Sequence, residues 1–160
     1  MFTHAELVEK AYKWVLNNTS CGVAFKEITT ASSREQPDVI GFGAWGHSVL
    51  IEVKVSRADF LRDKKKSFRI KPKLGMGSQR FYMCPEGIIK EKDLPKDWGL
   101  IYVYESGRCR NVYSPYKGNV FERKGLDKNM EAEHGLMYSI LRRLHINKVL
   151  NEKDFKLTKR

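Results

Sequence analysis

The chain has 160 residues, enough for one domain with a single core, and 41% of them are apolar, with 3 Trp, 7 Tyr and 8 Phe, so it should fold without disulfides or a structural metal. Its 30 Lys and Arg outnumber 19 Asp and Glu, and the formal net charge of +11 makes a polyanion the natural partner. Cys21, Cys84 and Cys109 form no C-x-x-C pair, and the opening residues carry neither a charged leader nor a long apolar run; the sequence therefore indicates no disulfide framework, zinc site, secretion signal or membrane segment, and a cytoplasmic protein is expected.

Thr3 and Glu6 make a capping box, so a helix should begin at His4. Phe2 can staple onto Leu7, and Leu7, Ala11, Trp14 and Val15 form an apolar stripe at helical spacing that leaves Glu9 in solvent. Asn17, Asn18 and Gly22 end the helix. Val23, Ala24 and Phe25 read as a strand, and Glu27 near its end is a candidate additional acid, since it could lie beside Asp38 in a sheet. Residues 31–36 read as a polar loop. Pro37 then sets entry into a strand through Val39 and Ile40, and Gly41, Gly43 and Gly46 serve the following turn. From Ser48, period-two alternation puts Val49, Ile51, Val53 and Val55 on one face and leaves Glu52 and Lys54 together on the other. At a rise of ~3.3 Å per residue the last two stand roughly 6.6 Å apart, room for a metal and a phosphate-bound water between them.

Ser56 caps the next helix with Asp59 at its third position, and Val55 can staple onto Phe60. Free N–H groups at that helix start would face Glu52 and Lys54, a setting that favours phosphate. Leu61 and Phe68 should turn the helix onto the sheet, and Pro72 should stop it. Between Lys54 and Lys73 lie nine Lys or Arg against two Asp, a local +7 beside the proposed site. The candidates for nucleic-acid binding are Ser56, Arg57, Lys64, Lys65, Lys66, Arg69, Lys71 and Lys73. A basic loop with Gly75 and Gly77 follows, and Arg80 to Cys84, Gly99 to Tyr104 and Cys109 to Tyr113 read as strands. From Asn129, the set Leu136, Met137, Ile140, Leu141 and Leu144 marks a long amphipathic helix whose stripe is core or else a dimer seam, so a homodimer stays open. His134 and His145 on that helix read as structural or surface. Residues 1–150 should form one domain and 151–160 a polar basic tail.

Pro37-Asp38 followed by Glu52-x-Lys54 resembles the motif of the PD-(D/E)xK nuclease superfamily. The run Ser56-Arg57-Ala58-Asp59-Phe60-Leu61-Arg62-Asp63-Lys64-Lys65 is similar to the S-x-x-D-F-x-x-D-x-K run of its MmcB-like DNA-repair branch and phage relatives, although Lys66 stands where that run has an aromatic. The resemblance spans roughly Val23 to Val103. It implies a three-layer α/β/α restriction-endonuclease-like fold with a central mixed β-sheet, and a divalent-metal-dependent nuclease hydrolysing phosphodiester bonds in DNA. Asp38 and Glu52 would hold Mg2+, with Mn2+ as a substitute, supported by the backbone carbonyl of Val53; hard oxygen ligands suit such an ion. Lys54 would orient or help deprotonate the attacking water and steady the negative charge at phosphorus. DNA comes from the resemblance, and RNA stays open as substrate. The competing reading keeps the fold but cleaves nothing: a module that binds nucleic acid or antagonises a host protein, in phage counter-defence or repair.

Overall fold

The computed structural model describes residues 2–29, 35–116, 125, 127–151 and 153. Residues 31–34 of the expected polar loop, and 152 and 154–160 of the expected tail, lie outside these.

Helix α1 (His4–Asn18) starts where the capping box puts it: the Glu6 N–H donates to Thr3 Oγ1 at 3.3 Å and the Thr3 N–H to Glu6 Oε2 at 2.7 Å. Strands β1 (Cys21–Lys26), β2 (Val39–Gly43) and β3 (Ser48–Val53) follow as an antiparallel meander. The chain then crosses through α2 (Arg57–Asp63) and α3 (Ser67–Ile70) to β4 (Gln79–Pro85), which pairs parallel to β3. Strand β5 (Trp98–Val103) lies parallel to β4, β6 (Cys109–Tyr113) returns antiparallel, and α4 (Met130–Ile146) closes the described chain. The result is an α/β protein with one mixed six-stranded sheet in the order β1-β2-β3-β4-β5-β6. Among the described residues, no helix is long and apolar enough to cross a membrane.

Each face of the sheet carries its own core. On one, Leu7, Val8, Ala11 and Val15 of α1 pack on Val39, Val49, Ile51, Val53, Phe81 and Met83. On the other, Ala132, Leu136 and Ile140 of α4 and Phe60 of α2 meet Ile40, Leu50, Tyr82, Trp98 and Leu100. Strand β3 is therefore buried on both sides, as a strand flanked by parallel and antiparallel neighbours and covered above and below must be. Val55, expected in its apolar row, falls beyond the strand and is exposed, because the chain turns at Lys54 into α2.

Two other expectations change. The basic helix is not continuous: α2 ends at Asp63, Lys66 takes an extended conformation (φ −64°, ψ 142°), and α3 starts afresh at Ser67. Its inward residues are Phe60, Asp63 and Arg69, whereas Leu61 is exposed. In α4, Leu136 and Ile140 are buried as expected, but Met137 and Leu141 are exposed, because the helix turns only a narrow stripe toward the sheet.

The contact between β4 and β5 at Phe81 and Gly99 leaves no room for a side chain. The Phe81 ring is held between Trp14 and Tyr116, at centroid distances of 5.4 and 5.5 Å, and leans on Gly99, where an added Cβ would come within 2.3 Å of Phe81 Cδ1. With neighbours on both sides the ring has nowhere to go. Gly99→Ala should therefore lower stability by about 1–3 kcal/mol, read from the urea midpoint, while Gly22→Ala, with open space around its Cβ position, serves as the control.

Candidate active site

The β2–β3 hairpin brings the sequence-predicted acids together. Val39 pairs with Ile51, so Asp38, one residue before β2, faces Glu52 across the ladder. Asp38 Oδ2 accepts the Val53 N–H at 2.7 Å, which fixes the carboxylate. Glu27, at the end of β1 with φ +47°, donates its N–H to the Asp38 carbonyl at 3.0 Å, so the candidate third acid does lie beside Asp38. A residue that sequence reasoning passed over completes the group: His4 Nε2, from the first turn of α1, is 3.5 Å from both Glu27 Oε1 and Asp38 Oδ1. Among the described residues, the ligand atoms of His4, Glu27 and Asp38 all lie within 4.8 Å of one another. Glu27 and Asp38 border an open cleft of 570 Å³ whose other walls are Gln36, Pro37, Lys66 and Phe68.

Burial, reinforced by the nearby Glu52 carboxylate, pushes the Asp38 carboxyl up to about 6 against the pull of the Val53 N–H and Lys54. A cation beside Asp38 would relieve that strain, which is the donor chemistry expected of a divalent-ion site.

Glu52 and Lys54 are 2% and 5% exposed, on the same side of β3 as expected, but the space between them is closed. Lys54 Nζ donates to Glu52 Oε2 at 3.2 Å and lies 3.6 Å from Asp63 Oδ1. Both side chains bend toward each other, which the Cα spacing alone does not report. Burial would push the Lys54 ammonium down, but Glu52, Asp63 and Asp38 outweigh it and hold it above its ordinary value. Lys54 thus keeps its proton and stands in this geometry as a fixed positive charge.

Behind this pair lies a charge network the sequence did not disclose. Arg69, assigned by sequence to the nucleic-acid surface, is 4% exposed and points inward. Its Nε donates to Asp63 Oδ2 at 2.9 Å, its Nη1 to Glu35 Oε1, and its Nη2 lies 2.7 Å from Glu52 Oε1. Glu35 also accepts the Met76 N–H at 2.5 Å, and Tyr82 Oη donates to Asp63 Oδ2 at 2.9 Å. Burial raises the Glu35 carboxyl despite Arg69. For Asp63, burial is outweighed by Arg69, Lys54 and Lys66, which hold its carboxyl well below the usual range.

The other basic candidates divide. Arg57 forms a bidentate pair with Asp93 at 2.7 and 2.9 Å, and Lys64 Nζ donates to the Asp93 carbonyl at 2.6 Å. Lys66 Nζ is 2.7 Å from Asp63 Oδ1 at the rim of the cleft. The Ser56 hydroxyl is occupied as the α2 cap, accepting the Asp59 N–H at 3.2 Å. Lys65, Lys71 and Lys73 are exposed, the last with Asp127 at 3.8 Å. Val53 is tied to the site by its N–H. His134 and His145 are exposed on α4, away from this cluster. One signal for the hidden residues was present: Phe60 and Asp63, three apart, share a helix face.

No protein-family model matches the chain, and no curated protein matches it. Its structure is similar to that of the "SPO1766 protein of unknown function from Silicibacter pomeroyi" over 92% of both chains, at 19% identity and a TM-score of 0.60. That likeness is one of fold.

Two outcomes follow from the electrostatics. A carboxyl whose folded-state pKa is raised opposes folding once it ionises, and has no such effect where it is protonated in both states. In metal-free buffer Asp38→Asn should therefore stabilise the protein by about 1–3 kcal/mol at pH 8, a gain that fades below about pH 6 and is gone near pH 4; paired melts across that range test it. Arg69→Ala leaves Glu35, Glu52 and Asp63 facing one another and should cost about 3–5 kcal/mol, measured by guanidinium unfolding.

Proposed function

We propose that this chain is a PD-(D/E)xK-type nuclease of restriction-endonuclease-like α/β/α fold, hydrolysing phosphodiester bonds in DNA with a divalent metal. The observation that carries the reading is Asp38 facing Glu52 across β2–β3, with the Lys54 ammonium 3.2 Å from Glu52. Asp38, Glu52 and the Val53 carbonyl would hold Mg2+ or Mn2+, and when bound the ion supplies Lewis acidity and a water acidic enough to attack phosphorus.

The residues do the rest by position. The Val53 N–H keeps Asp38 from rotating, and Arg69 keeps Glu52 from swinging out, so the negative charge of the site is set before substrate arrives. Lys54, protonated and fixed, offsets charge as it grows on the non-bridging phosphate oxygens. One P–O bond forms to the water oxygen as the P–O bond to the leaving strand breaks; its electron pair goes to that strand's oxygen, which takes a proton from solvent, and the proton lost by water goes to solvent, since Lys54 is already charged. Lys65, Lys71 and Lys73 supply the exposed positive surface along which a phosphate backbone would run.

One observation favours the competing reading of a non-cleaving module that binds nucleic acid or a host protein: Glu52 and Lys54 are both engaged in ion pairs that serve the core. Supercoiled plasmid separates the two. Nicking with Mg2+ or Mn2+ that EDTA abolishes, and that Lys54→Met slows by about 10²–10³-fold in single turnover with DNA binding retained, supports the nuclease. Retained DNA binding without nicking under any of these ions supports the module. Replacing Lys65, Lys71 and Lys73 together by Ala should flatten the dependence of log affinity on log salt by up to about 3 units, and an unchanged slope would move the DNA path elsewhere.

A further inference from the structure

Helix α4 carries two apolar stripes, and the sheet takes only one of them. Ala132, Leu136 and Ile140 are buried against it at helical spacing. A second set, Met130, Met137 and Leu141, is 70%, 37% and 54% exposed, about 120° further round the helix. His134, exposed, and Leu144, half-buried, fall on the same line. From Met130 the steps to His134, Met137, Leu141 and Leu144 are four, three, four and three residues, the spacing of a coiled-coil seam.

The helix is held firmly behind this line. The Asn129 N–H donates to the Gly75 carbonyl at 2.8 Å, and the Asn129 side chain accepts the Ala132 N–H at 2.9 Å. Glu133 accepts from Ser48 Oγ at 2.7 Å and from the Gly77 N–H at 2.8 Å, and Arg143 donates to the Thr29 carbonyl at 2.8 Å. A partner therefore meets a surface with little freedom left to lose on binding.

Charge along the helix decides what fits. Glu131 lies in the first turn, whereas Arg142, Arg143, His145 and Lys148 lie at or just beyond the other end, all of them exposed. A second copy laid antiparallel, with its two-fold axis level with Ser139, sets Met137 against Leu141 of the second copy and His134 against Leu144 of the second copy. The same register brings Glu131 beside His145 and Lys148 of the second copy and opposes the two helix dipoles favourably. A parallel pair would set like charge on like charge along the whole line.

We infer that α4 is a self-association surface, and that two copies of this chain pair through Met130, Met137 and Leu141 as an antiparallel two-fold dimer. An interface of this symmetry uses the same patch on both copies, so a line that matches itself when reversed needs no second surface. The pairing does not depend on whether the chain cleaves DNA.

Sedimentation equilibrium of the full chain tests it. A monomer–dimer equilibrium with Kd at or below about 100 µM is expected. Leu141→Glu, which puts two carboxylates into the middle of the line, should weaken pairing at least about tenfold, and Met137→Lys should do the same. The thermal midpoint of either variant as a monomer should match that of the dilute parent chain, because neither side chain belongs to the core. Ile146→Glu is the control: Ile146 is 56% exposed on the opposite side of the same helix, and its Kd should stay within about twofold of the parent value. Glu131→Gln should loosen an antiparallel pair and tighten a parallel one, so tighter pairing would overturn the antiparallel order. A chain still monomeric at about 1 mM would overturn the inference; if Leu141→Glu then lowered its thermal midpoint, another part of the same chain would be the occupant of the line. Pairing unmoved by Leu141→Glu, or weakened equally by Ile146→Glu, would overturn it as well.

Discussion

The guanidinium of Arg69 is the point at which separate parts of the chain agree on one geometry. Glu35 reaches it from the segment before β2, Glu52 from β3 and Asp63 from the end of α2, while the aromatic faces of Phe68 and Trp98 lie 4.7 and 5.0 Å from its carbon. Charges buried this deeply are unfavourable unless nearly every one is matched. Here Glu35, Glu52 and Asp63 are met by Arg69, Lys54 and Lys66, so the network is neutral as a whole. The helical break follows from the same demand. Residues six apart on a continuous helix point about 120° away from each other, so Asp63 and Arg69 could not both face Glu52 unless the chain unwound at Lys64–Lys66. The interruption is what lets a basic segment fold its charge inward.

The local signals in the sequence were read well where one residue type has one physical use. The Thr3–Glu6 cap, the order of the first three strands, the juxtaposition of Asp38 with Glu52, and the start of α4 at its Asn129 cap are all of this kind. Reading failed where a charged residue was assumed to face water. Arg69 follows three lysines and looks like part of a solvated face, and Glu35 sits in a polar stretch; nothing local distinguishes them from their neighbours. Their burial is decided by each other, across 34 residues of chain. His4 was hidden for a different reason: its place beside Glu27 and Asp38 depends on where α1 lies against the β1–β2 junction, which no spacing within the helix encodes.

The same pairing changes the meaning of the basic segment. Counted along the sequence, Lys54 to Lys73 carries a strong positive excess. Counted in space, Lys54 and Arg69 are neutralised inside the protein, Arg57 is neutralised by Asp93, and Lys66 by Asp63. What remains at the surface is a sparser set around Lys65, Lys71 and Lys73.

Arg80 has a consequence for how the charged centre is held in place. Its side chain is wholly buried, and it donates to the carbonyls of Pro72, Gly75, Gly77 and Asp127. The carbonyls of Pro72, Gly75 and Gly77 belong to a short stretch outside the sheet, and β4, which carries Arg80, is their common anchor. Met76, whose N–H anchors Glu35, lies within that stretch. Arg80 thus ties this stretch to β4, and through the Met76 N–H the same stretch holds Glu35 where it meets Arg69. The charged centre is therefore steadied by a second arginine whose hydrogen bonds go to backbone carbonyls and not to its carboxylates.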